Sequence, residues 1–155
     1  MTTSRSMGTR GIALVLIGAL ALLISFTVLE WYPGSSQPSA VAHIRFADLH
    51  QASNFDLAPV LAGAYFGWLA WVLLLLVIAV GFAANVPTQA SGVLRILGAA
   101  IGLGGVVATY YALAGLSRRN EGDYPLHNAS AGIWLALAGF LIAGLGAALG
   151  PMRAR

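Results

Sequence analysis

The residues able to do chemistry in this chain are few. Three histidines, five acids and eight basic residues, all of them arginine, make up the ionisable stock, with no cysteine and no lysine. Histidine beside a carboxylate is the material of acid–base catalysis and of metal ligation. His43, His50 and His127 each stand in a polar segment that also holds acids: Asp48 and Asp56 for the first two, Glu121 and Asp123 for the third. Their spacing argues against a shared ion. His43 and His50 are separated by roughly 10 Å if that segment is helical, and no HExxH-like pattern occurs. The expectation is solvated loop histidines, with no catalytic residue, no metal and no cofactor. Without cysteine there is also no thiolate nucleophile and no disulfide.

A second group of side chains could bind rather than react. All four Trp and all five Tyr gather in one half of the apolar segments or in the loops joined to that half: Trp31, Tyr32, Tyr65, Trp68, Trp71, Tyr110, Tyr111, Tyr124 and Trp134. Aromatic belts normally mark both membrane interfaces. Trp31 and Tyr32 fall at a membrane edge. Tyr65, Trp68 and Trp71 share a helix face at steps of three, and Trp71 lies about 20 Å into its segment, deeper than an ordinary anchor. Such a set makes a belt and bundle core, a pocket for a lipid or small molecule, or a hot-spot surface for a partner. The candidate contacts are Trp31, Tyr65, Trp68, Trp71, Tyr110, Tyr111 and Trp134. Arg118 and Arg119 join them as a doublet able to hold a phosphate headgroup or a carboxylate.

The elements that position these groups come from composition. The chain of 155 residues is 59% hydrophobic and 8% charged, against about 25% charged in soluble domains. That defines an integral membrane protein. A span needs roughly 20 apolar residues, and four runs qualify, over 11–30, 58–84, 92–116 and 129–150. They predict one all-α membrane domain, a four-transmembrane-helix bundle, with outer loops 31–57 and 117–128. The second run begins after the capping types Ser53, Asn54 and Asp56, with Pro59 tolerated in the first turn. It ends at Asn85 and Pro87. Ala40-Val41-Ala42 has a small-x-small form, but it lies too far past the first run for usual signal processing, so that run reads as a retained anchor. Val41 to Phe55 reads as a short helix with Val41, Ile44, Ala52 and Phe55 on one side, lying on the membrane surface or packed across the bundle mouth.

Arginine placement orients the chain. Arg5, Arg10, Arg95, Arg153 and Arg155 fall on one side, and Arg45, Arg118 and Arg119 on the other, which favours cytoplasmic termini. Arg95 is close enough to its helix end to snorkel to the headgroups. All five acids then face outward.

Small residues stripe the last two spans. Gly98, Gly102 and Gly105 mark the third, with Ala112 one heptad further on. Gly132, Ala136, Gly139, Ala143 and Gly146 alternate by four and three on the fourth. Helices in lipid associate through close backbone packing, and a 3.5-residue period implies a left-handed crossing. The two striped helices are therefore expected to pair.

Apart from Glu30 at the outer edge of the first span, no Asp, Glu, Lys or His lies within a span, which disfavours ion-coupled transport. The arginine-only basic set, Trp31-Tyr32-Pro33-Gly34 opening the first outer loop and His127-Asn128-Ala129-Ser130-Ala131-Gly132-Ile133-Trp134 entering the last span resemble small four-helix actinobacterial membrane proteins. The layout of short inner tails and a large first outer loop is similar to that of claudins, without their loop cysteines. The expected function is a non-catalytic accessory or stabilising subunit of a larger complex in a bacterial plasma membrane, of envelope lipid transport or respiratory type. The alternative is a membrane protein binding lipid or a small molecule in an outer aromatic pocket. Expected partners are membrane lipids and other integral membrane subunits. A net charge of +3 gives no ground for nucleic acid.

Overall fold

Proline and glycine punctuate four apolar runs, and each run folds as a helix long and apolar enough to cross a membrane: Thr9–Thr27, Val60–Asn85, Ser91–Leu116 and Ala131–Leu149. The computed structural model describes residues 5–33, 43–53, 60–117, 126 and 128–153. In chain order the elements are β1 (Arg5–Ser6), α1 (Thr9–Thr27), β2 (Glu30–Pro33), β3 (His43–Arg45), α2 (Phe46–Ser53), α3 (Val60–Ala64), a π-helical turn (Tyr65–Leu69), α4 (Ala70–Ala84), α5 (Ser91–Ser117), α6 (Ala131–Leu149) and β4 (Met152–Arg153).

Two departures from the sequence reading matter for the site. The helix expected over Val41 to Phe55 is not formed as drawn. His43–Arg45 is a strand, antiparallel to β2, with Tyr32 opposite Ile44 and Pro33 opposite His43. Strand pairing overrides local propensity here, and the helix starts at Phe46. Asp48 Oδ2 accepts the Arg45 N–H at 2.8 Å, half of a capping box at that start. Val41, Ala42, Asn54 and Phe55 lie outside the described residues. In the second span, the π turn inserts extra arc into one turn and rotates the residues beyond it. Tyr65 is fully buried and Trp71 half-buried, while Trp68 is 59% exposed. The shared face implied by steps of three does not survive that turn.

The helices form a square. α1 packs between α6 and α4, α5 packs between the same two, and α4 touches α6 across the middle. β1 pairs with β4, Arg5 opposite Arg153, so the first and last described segments meet at one end of the bundle.

The closest pair is α1 and α6, the first and last spans. Gly11, Gly18 and Ser25 step by seven along α1 and meet Gly146, Gly139 and Gly132, which step by seven in the opposite sense along α6. A Cβ on Gly18 would stand 2.6 Å from the Ala143 nitrogen and 2.6 Å from the Gly139 oxygen. No side chain fits there, and the backbones touch. α5 uses its own stripe: Gly98 meets Ala147, Gly102 meets the Gly144 backbone and Gly105 lies under the Phe140 ring. The α6 stripe therefore serves α1: Gly132, Gly139, Ala143 and Gly146 meet α1 and β2, while the neighbouring Phe140, Gly144 and Ala147 meet α5.

Candidate functional site: the aromatic cap and its polar tethers

The end of the bundle away from the chain termini is closed by rings. The β2–β3 register is irregular between Glu30 and Tyr32, and such a bulge re-aims a side chain. Trp31 at that point turns inward and is 0% exposed. Its indole Nε1 donates to the Ser25 carbonyl at 2.9 Å, so the ring keeps a polar partner while its body fills the core. Its own carbonyl accepts the Ser130 N–H at 3.0 Å, and the Ser25 hydroxyl donates to the Gly132 carbonyl at 2.7 Å. Three bonds thus tie α1, β2 and the start of α6 together. Asn128 enters that start with φ 64, a left-handed conformation that asparagine tolerates.

Around Trp31 the phenylalanines do most of the filling. Phe46 stacks on Phe26 at 4.7 Å and meets Trp31 edge-on at 5.2 Å. Phe66 meets Trp31 edge-on at 5.7 Å, and Trp71 meets Phe26 edge-on at 5.5 Å. Phe140 continues the cluster toward the middle of the bundle. Trp31 and Tyr65, which the sequence offers as pocket walls, belong to this cluster, and Trp71 packs against it. Phe26, Phe46, Phe66 and Phe140 carry the cap, and sorting only Trp and Tyr by side misses them. Their common position in one half of the chain's spans and first loop is the signal that could have found them.

Below the cap, Tyr65 is buried and its hydroxyl lies 2.5 Å from Thr109 Oγ1. Thr109 spends its only hydroxyl proton on the Gly105 carbonyl at 2.7 Å, so Tyr65 is the donor. At the other end, Asn85 is 0% exposed. Its Nδ2 donates to the carbonyls of Gly81 at 2.8 Å and Gly146 at 3.1 Å, and its backbone oxygen accepts the Gly8 N–H at 3.0 Å. A Cβ on Gly8 or Gly11 would fall on Asn85 Oδ1. Those two glycines admit the amide between α1, α4 and α6. The sequence marks Asn85 only as a helix stop.

Four candidate contacts remain on the outside. Trp68, Tyr110, Tyr111 and Trp134 are 59%, 44%, 57% and 53% exposed, on three different spans. Tyr110 and Tyr111 meet edge-on at 5.9 Å. α1 exposes aliphatic side chains such as Leu16, Ile17, Leu20 and Leu23. Arg118, Arg119, Tyr124 and His127 lie outside the described residues. Among the described residues, no three His, Cys, Asp or Glu side chains come together as a metal site. His43 belongs to β3 and His50 to α2, where His50 lies beside Gly67.

The arrangement defines a class: a compact bundle of four membrane-compatible helices, tethered by buried hydroxyl and amide groups and closed at one end by aromatic rings. Compared with known proteins, the chain matches no family model, no curated protein and no solved structure.

Proposed function

We propose that this protein is a non-catalytic accessory subunit that docks, through the outer face of α5, onto another integral subunit of a bacterial plasma-membrane complex, with its termini on the cytoplasmic side. The observation that carries the reading is the state of α5. It is the span least covered by its own bundle, 22% buried against 50% for α6, and it presents Tyr110 and Tyr111 outward. On the same exposed side stand Ala100 and Gly104, and a Cβ on Gly104 would meet nothing within 4 Å. An uncovered small-xxx-small pair lets a second helix approach closely, and exposed tyrosines are typical anchors of a contact surface. The buried polar groups described above are spent on holding helices together, which fits a stabilising part better than a reactive one. Envelope lipid transport and respiratory complexes are the host types in view.

The test is purification of the tagged chain from its native membrane in mild detergent, beside three variants. Wild type should bring one integral membrane protein in fixed ratio. Gly104→Leu and Tyr111→Ala should shed it while keeping helicity and elution behaviour, and Leu20→Ala on the opposite corner should keep it. A wild-type chain that emerges without a protein partner, or a partner retained equally by all variants, refutes the reading.

A further inference from the structure

The lipid-facing seam between α5 and α6 is open along part of its length. Ala99 and Gly102 on one helix, with Leu141, Gly144 and Ala148 on the other, border an apolar groove of about 130 Å³. Its origin is the close backbone contact at Gly102 and Gly144, where no side chain projects to fill the seam. An apolar cavity of about 150 Å³ stays dry and accepts a benzene-sized ligand, so this one suits a stretch of hydrocarbon. From Ala148 to Phe140 the wall runs about 12 Å along α6, nearly the depth of one leaflet's hydrocarbon.

One end of the groove carries a charge. Arg95 precedes Ala99 by one helical turn on the same face. Its Nε donates to the carbonyl of Ala148, a wall residue, at 2.7 Å. The stem crosses Gly150, whose φ of +65 and absent side chain leave it room. With Nε engaged, the two terminal guanidinium nitrogens have no protein acceptor among the described residues, and the side chain is exposed. Arg5, Arg10 and Arg153 stand at the same end of the bundle, whereas the described acids, Glu30 and Asp48, stand at the other.

We infer that the α5–α6 groove binds an anionic glycerophospholipid, an acyl chain lying over Gly102 and Gly144 and the phosphate held by the Arg95 guanidinium. The two parts of the site select the two parts of the ligand. A guanidinium pairs with a phosphate through parallel N–H bonds. A free phosphate leaves the groove empty, and a zwitterionic lipid brings its own cation to a cationic surface.

Native mass spectrometry of the purified chain in nonionic detergent, titrated with phosphatidylglycerol and phosphatidylcholine of matched chains, tests this. Wild type should retain one phosphatidylglycerol per chain, favoured about fivefold over phosphatidylcholine, the ratio that one cation near an anionic surface supplies. Arg95→Gln should abolish the preference, Arg95→Lys should keep a preference, and Arg10→Gln should leave it intact. Ala99→Phe should exclude both lipids by filling the groove, and excess inorganic phosphate should displace neither. Equal retention of the two lipids by wild type overturns the inference. So does an unchanged preference in Arg95→Gln, an equal loss in Arg10→Gln, or displacement by inorganic phosphate. Should Ala99→Phe fail to fold, the exposed Arg95 position still decides the matter.

Discussion

Gly18→Ala isolates the contact on which the bundle closes. The added methyl would stand 2.6 Å from two backbone atoms of α6 and 2.8 Å from the Ala143 methyl. None of these is the end of a flexible side chain, so α1 must retreat from α6 by somewhat under 1 Å. A gap of 0.5–1 Å forfeits about a quarter to a half of each van der Waals contact along it, and overpacking of this kind costs about 1–3 kcal/mol. Alanine returns up to about 1 kcal/mol through its higher helix propensity. The net expectation is a loss of about 1–2 kcal/mol, a five- to thirtyfold shift in the unfolding equilibrium. Gly104→Ala is the control: the same chemical change in open space, expected to be neutral or stabilising by up to about 1 kcal/mol. Reversible unfolding of the purified chain in mixed micelles, followed by circular dichroism, measures both. If Gly18→Ala is as stable as wild type or more so, the backbone-to-backbone account of the α1–α6 pair is refuted. If Gly104→Ala is as damaging as Gly18→Ala, the loss reflects glycine removal in general and not this contact.

The same assay bears on the polar tethers. Thr109→Val leaves the buried Tyr65 hydroxyl without its acceptor and should cost about 1–3 kcal/mol, whereas Tyr65→Phe leaves Thr109 its bond to Gly105 and should cost about 1 kcal/mol or less. The reverse order would show that Tyr65 is not the donor. Asn85→Leu removes two donated bonds and should cost about 1–2 kcal/mol. Asn85→Asp sets an acid against the Gly81 and Gly146 carbonyls and should cost about 3 kcal/mol or more, so an Asp variant more stable than the Leu variant would refute the assigned amide orientation. Trp31→Phe loses the bond to Ser25 and part of the cap's volume. It should speed tryptic cleavage at the exposed Arg45 by loosening the β2–β3 pair, and an unchanged cleavage rate would mean that the indole does not hold that hairpin.

The four helices were legible because burial in lipid demands long charge-free runs, and Pro87 with Asn85 marked where one stopped. The small-residue stripes were legible as well, and so was α6 as the partner of the α5 stripe, but not α1 as the partner of the α6 stripe. A period of 3.5 says that a helix is approached closely without saying by which neighbour. The heptad on α1, Gly11, Gly18 and Ser25, was the missing half of that message, hidden because its third member is a serine. Trp31 read as an interfacial ring because single-sequence reasoning sees its neighbours in the chain. It does not see the bulge that turns Trp31 into the core. The π turn was equally invisible: Tyr65, Trp68 and Trp71 have the spacing of one face, and only an extra residue in the turn separates them. The groove beside Arg95 has no signature in the sequence, since a void is a property of two helices together.

Pairing the first span with the last has a consequence for biosynthesis. Ser25 and Gly132 are separated by 107 residues. At roughly 5–20 residues per second, the ribosome needs about 5–20 seconds to make the intervening chain. Throughout that interval the α1 glycine track has no α6 to cover it, and Ser25, joined later by Asn85, lacks the α6 carbonyl it finally bonds. The nascent bundle is thus an open three-helix intermediate that closes only when α6 arrives, and any chaperone acting on it would have to shelter the α1 track until then.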